Sequence, residues 1–208
     1  MSAEEISERL SRIRGKLQHL RSVDASLNQY GAKSHGYRLG PPLGDAQLQH
    51  YERQHGVELP YEYRRFLMEV GHGGAGPVSG LFPLDSQDPE CLNMYGGDLG
   101  KPFPWTSSFN PDRWQRGDDI AGVQDVEWAS DGNYVGMFLP GALYLCHLGC
   151  AIRNFLIVSG PCKGEVWRDD QASRKGIYPE VDEDGNRLRF LDWYEQWLDQ
   201  SLEGRFAL

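Results

Sequence analysis

Apolar residues recur at helical spacing near both ends of the chain and at strand-like spacing between them. Ile6, Leu10, Ile13, Leu17 and Leu20 follow at alternating intervals of four and three. That stripe predicts an amphipathic helix over residues 3–21. Ser2 and Glu5 have capping-box spacing ahead of it. Acids at its start and bases at its end suit the helix dipole. With only two and a half heptads, the stripe is expected to dock on the rest of the chain rather than to form a coiled coil. A homodimer contact is the alternative, with a monomer expected. Residues 22–43 are polar and rich in Gly, Ser and Pro, and read as a linker or draped loop. Asp45 is placed to cap a second helix running to about His55. A third helix is expected over Pro60–Val70, with Leu59, Tyr63, Phe66, Leu67 and Val70 on one face. Proline at its first position gives up only an amide that has no helical partner there.

The pattern then changes period. Val78–Leu84 reads as a first strand, and residues 85–119 lose periodicity while gaining Pro, Phe and Trp. A long aromatic loop of this kind either packs onto its own core or recognises a partner. Strand patterning resumes at residues 125–128, 134–139, 142–147, 151–158 and 165–168. Phe190, Trp193, Tyr194, Trp197, Leu198 and Leu202 then mark a strong terminal helix, with Asp192, Glu195, Asp199 and Glu203 on its other face. The order predicts an α+β fold: a mainly antiparallel central sheet of about six strands flanked by helices, plus the N-terminal helix. The expected core includes Tyr63, Phe66, Leu67, Leu81, Phe155, Ile157, Trp167, Trp193 and Trp197.

Leu59-Pro60-x-x-Tyr63-x-x-Phe66-Leu67, the Gly71–Pro77 turn and Gly80-Leu81-x-Pro83-Leu84 together resemble the SUKH superfamily, the Smi/Knr-like cell-wall-regulator and immunity-protein family. Residues 149–160, 164–169, the Gly176-Ile177-Tyr178-Pro179 turn and the terminal helix are similar to its later elements. The resemblance spans Arg38–Glu203, so residues 1–37 are expected as an added helix and linker and residues 38–208 as the SUKH-like domain. His72 stands where Asn is expected in the turn; both residues tolerate left-handed backbone. The resemblance implies a protein-binding module, with neutralisation of a secreted toxin as the typical bacterial role.

Composition narrows the partners. At 39% hydrophobic and 12% aromatic, the chain can bury a substantial core. Its start lacks the apolar region of a secretory signal, and no apolar run approaches a membrane span, so a cytoplasmic protein without membrane contact is expected. Residues 1–43 hold seven basic and four acidic side chains. Residues 44–208 hold fourteen basic and twenty-six acidic, and residues 117–152 contain no Lys or Arg. Such a domain repels nucleic acid and speeds encounter with basic proteins, although acidity also serves solubility.

The chemical motifs point away from catalysis. Gly71-x-Gly73-x-x-Gly76 matches a dinucleotide fingerprint in letters, but a helix enters it and Pro77 leads away from one. Glu180-x-Asp182-x-Asp184-Gly185 begins like a calcium loop, yet Leu191 stands where the bidentate Glu is required. Cys146, His147 and Cys150 are metal-ligand types, but their strand context sends alternate residues to opposite faces. Buried or half-buried free thiols are therefore expected, with no metal and no cofactor. The functional expectation is an immunity protein that occludes a basic toxin domain, with a nuclease among the candidates. A regulatory or scaffold protein of Smi/Knr type and an uncharacterised hydrolase are the alternatives. Trp105 and Trp114 are the expected aromatic anchors. Asp118, Asp119, Asp125, Glu127, Asp131, Asp182, Glu183 and Asp184 are the expected acidic contacts.

Overall fold

Helix α1 (Ala3–Val23) starts at a complete capping box: the Ser2 hydroxyl accepts from the Glu5 N–H, and the Glu5 carboxylate accepts from the Ser2 N–H. All five residues of its apolar stripe are buried. Full burial of such side chains contributes roughly 1.5–3 kcal/mol each. The computed structural model describes residues 2–84, 98–110, 126–128, 134–137 and 139–204. In chain order, α1 is followed by the short α2 (Ala32–His35), β1 (Leu39–Gly40), α3 (Asp45–His55), α4 (Tyr61–Glu69) and β2 (His72–Gly74). Then come β3 (Val126–Trp128), β4 (Tyr134–Met137), β5 (Ala142–Gly149), β6 (Ile152–Ile157), β7 (Val166–Asp170), β8 (Gly176–Pro179) and α5 (Phe190–Leu202).

The class is α+β, as the element order implied. The described strands form one four-stranded antiparallel sheet in the order β5-β6-β7-β8 and two antiparallel ribbons, β1-β2 and β3-β4. The central sheet thus has four described strands rather than about six. No described helix is long and apolar enough to cross a membrane.

Several local expectations shift. Pro60 is the N-cap of α4, not its first helical residue, because its ψ of 133° is extended. Gly44 caps α3 and donates its N–H to the Gln47 side chain, leaving Asp45 free to pair with Arg64. Val78–Leu84 is not a strand: Val78 has left-handed backbone, and only Leu81 makes isolated bridges, to Gly74 and Cys146. Residues 176–179, expected as a turn, form the edge strand β8. His72 sits in β2, where the left-handed positions are taken by Gly73 and Gly74 instead.

All nine expected core residues are buried, but they divide between two clusters. Successive residues of β5 to β7 point alternately to the two faces of the sheet. Leu143, Leu145, Leu156 and Val166 join the helices α1, α4 and α5 on one side. Tyr144, Phe155, Ile157 and Trp167 join Phe103 and Ile177 on the other. Both faces are covered, which explains why these strands read as nearly continuous apolar runs.

The outer face expected for α5 is solvent-facing at Glu203 but is partly covered by α1 at Asp192 and Asp199, and Glu195 is buried. Arg9, Arg12 and Lys16 of α1 converge on Glu195 at 2.8, 2.5 and 2.8 Å. Arg9 also pairs with Asp192, and Lys16 with Asp199, each at 2.6 Å. The first helix therefore docks through an apolar stripe and a complementary charged seam.

Candidate partner-binding surface

In segment 98–110, the aromatic residues Phe103, Trp105 and Phe109 lie on the sheet face opposite the helices, whereas Leu99 joins the helix-side cluster. Phe103 is fully buried, donates its N–H to Ser159 O at 2.9 Å, and meets the rings of Trp105 and Trp167 edge-on. Gly160 permits this approach, since a β-carbon there would lie 2.6 Å from the Phe103 carbonyl oxygen. Trp105 is half-buried and stacks on Phe109, with centroids 4.9 Å apart. Phe109 exchanges both backbone hydrogen bonds with Ile177 of β8, at 2.9 and 2.7 Å. The segment is thus fastened along the sheet edge, with the half-buried Trp105 in contact with both Phe103 and Phe109.

A hairpin over residues 180–188 stands beside it. Val181 bridges Arg187, and Asp182 donates its backbone N–H to the Asn186 carbonyl. The Asp182 carboxylate accepts from the Asn186 amide and from the N–H groups of Asn186 and Asp184. Those bonds, led by the one from the Asn186 side chain, hold the Asp182 carboxyl below its ordinary range. Asp182 therefore builds the turn. Glu183 and Asp184 occupy its exposed tip, next to the exposed Val181.

Arg187 joins the two pieces. It donates to the Thr106 carbonyl and pairs with Glu165 at 3.1 Å, and its guanidinium lies 5.8 Å from the Trp167 ring centroid. Arg187 therefore ties the hairpin that carries the 182–184 acids to the backbone one residue from Trp105. Trp114, Asp118, Asp119, Asp125 and Asp131 lie outside the described residues. Glu127 lies in β3, with its side chain also outside them. Arg187 was not singled out from sequence. Its signal was available: the Asp184-Gly185 turn pairs Val181 with Arg187 and aims Arg187 back at the loop.

Other polar groups on this face are inward. Burial raises the Asp169 carboxyl above its ordinary range, although it accepts from the Tyr144 hydroxyl at 2.6 Å and from Gln171. Among the cysteines, Cys146 is buried and its thiol is pushed up to about 12 by burial. Cys162 is also buried, whereas Cys150 is exposed at the β5-β6 turn rather than buried or half-buried. Among the described residues, no three His, Cys, Asp or Glu side chains are grouped to hold a metal ion.

Comparison with known proteins finds no matching family model, curated protein or solved structure.

Proposed function

We propose that this protein is a SUKH-type protein-binding module, an immunity protein that neutralises a basic toxin domain by stoichiometric occlusion. The observation that carries the reading is the Arg187 clamp, which ties the acid-tipped 180–188 hairpin to the backbone next to a half-buried Trp–Phe stack. Fixed charge accelerates encounter with a basic surface, and a rigid aromatic slows release. Neither role needs catalysis or a cofactor. The toxin's active cleft would be covered by the docked surface, and a nuclease cleft, being basic, suits it well. The resemblance motifs also fit the placement of Leu81. Its bridges to Gly74 and Cys146 would append β1 and β2 to the central sheet, giving about six strands over residues 38–208. Cytoplasmic residence as a monomer follows from the same reading.

The test is a titration of the protein against basic toxin domains, beginning with any toxin encoded beside its gene. Toxin activity is expected to fall linearly to zero at one equivalent. Calorimetry of the same pair should give a 1:1 complex. Undiminished toxin activity at tenfold excess would remove the immunity role and leave a regulatory partner to be sought by co-purification.

A further inference from the structure

A cleft of about 480 Å³ opens between residues 27–34 and the turn at Val78-Ser79. That volume lies within the roughly 300–1,000 Å³ typical of small-molecule sites. Its walls are held in backbone conformations that side chains avoid. Leu27 has φ 55° and Val78 has φ 50°, the latter an outlier for a β-branched residue. The two walls touch at Gly31, where a β-carbon would lie 2.0 Å from the Val78 carbonyl oxygen.

The strained segment is fastened on several sides. The Asp24 carboxylate accepts from the N–H groups of Asn28 and Gln29, at 2.8 and 3.2 Å, and from the Tyr37 hydroxyl at 2.5 Å. Gln29 donates its side-chain amide to Ser201 O at 2.7 Å, tying the loop to the end of α5. Backbone strain held this firmly is characteristic of sites whose shape matters.

The lining has one electrostatic sign. Lys33 is its charged residue, and Asn28, Tyr30, Ser34 and Ser79 add amide and hydroxyl groups. Among the described residues, no Asp or Glu lines the cleft, in a chain of net charge −9. Lys33, Ser34 and Ser79 are exposed, and among the described residues their side chains make no internal hydrogen bond or ion pair, so their donors are open to a ligand. The Tyr30 ring, 60% exposed, and the half-buried Leu27 supply apolar surface, with the buried Val78 beneath them at the cleft wall.

We propose that this cleft binds a small organic anion, a carboxylate or phosphate monoester on a flat apolar body. Lys33 and the Ser34 and Ser79 hydroxyls would hold the oxyanion, and Tyr30 would cover the body. This site is separate in sequence from the Arg187 surface and does not rest on the immunity reading.

The experiment is a titration of the full chain, followed by amide NMR shifts, with phenyl phosphate, benzoate, inorganic phosphate and benzylammonium. Phenyl phosphate or benzoate is expected to give saturable shifts confined to residues 27–34 and 78–79, and the tighter of the two names the natural headgroup. Benzylammonium should give none. Lys33→Glu, on an exposed residue without an ion pair, should keep the fold and weaken binding at least tenfold, and Ser79→Ala should weaken it severalfold. Absence of saturable shifts with both organic anions would overturn the proposal. So would equal response to benzylammonium, shifts centred elsewhere, or affinity unaltered in Lys33→Glu. Inorganic phosphate binding as tightly as phenyl phosphate would overturn the role given to the apolar wall.

Discussion

Glu195 carries more of the fold than its place in the sequence indicates. On a helical projection of α5 it falls with Asp192 and Asp199 on the charged face, which reads as solvent-exposed. In the structure it is buried under α1, and its carboxylate takes hydrogen bonds from three cations. Periodicity distinguishes a charged face from an apolar one, but cannot show that a second helix brings opposite charges to it. Burial raises the Glu195 carboxyl, yet the bonds from Arg12, Lys16 and Arg9 outweigh it and hold the group down to about 2. The folded value lies below that of an unfolded glutamate, about 4.3. The seam's contribution is therefore complete above pH ~4.5 and is lost as pH falls toward ~2. Glu195→Gln should cost about 2–3 kcal/mol at neutral pH, somewhat less than the 3–5 typical of breaking a fully buried pair, since Arg12 is half exposed. Urea unfolding of both proteins from pH 7 to 2 checks this: the gap between them should close across the acid range. A gap that stays constant with pH would assign the loss to packing instead of charge.

At the scale of elements, the helices were the most legible part. The apolar stripes of α1, α4 and α5 place their bounds within one or two residues, because each buries one face against a common cluster. The Val78–Leu84 segment misled, since its apolar content looks like a strand. Its backbone instead turns at Val78 and leaves Leu81 alone as a bridge. The edge strand β8 was hidden by Gly176 and Pro179, residues that usually mark turns. Proline suits this edge because it has no N–H to offer a further strand. The status of α1 leads to a prediction. It was read as an addition to the domain, yet Leu10, Ile13 and Leu20 are wholly buried in the main cluster. Leu10→Ala should therefore cost about 2–5 kcal/mol, as in an integral core. Removing residues 2–24 should expose the apolar face of α5 and lose cooperative unfolding, as read by calorimetry. A truncated chain that melts with the wild-type midpoint would make α1 a dispensable arm.

For the whole molecule, the α+β class followed from helices at both ends of a run of strands, whereas the division of the core did not. Alternation along β5 to β7 shows two covered faces only once the strands are paired, because a continuous apolar run carries no sign of what covers each side. The proposed partner surface could be read only in pieces for a related reason. Acidic and aromatic residues can be read singly, but their assembly depends on Arg187 crossing from the hairpin to Thr106. That assembly gives the binding proposal distinct kinetic signatures. The tip acids Glu183 and Asp184 are exposed, so under that proposal they would steer a basic partner without being desolvated. Glu183→Gln with Asp184→Asn should slow association with the basic toxin severalfold and leave dissociation nearly unchanged. Neutralising Asp118, Asp119, Asp125 and Glu127 should act in the same direction. The effect should fade as salt shortens the Debye length from about 10 Å at 0.1 M to about 3 Å at 1 M. Trp105→Ala should do the opposite, leaving association alone and speeding dissociation, since the ring is held by Phe103 and Phe109 and offers contact rather than charge. Surface-plasmon kinetics at two salt concentrations separate the two arms. If neither rate responds to either set of changes, the Arg187-clamped face is not where the partner docks, and the acidity of the domain serves solubility alone.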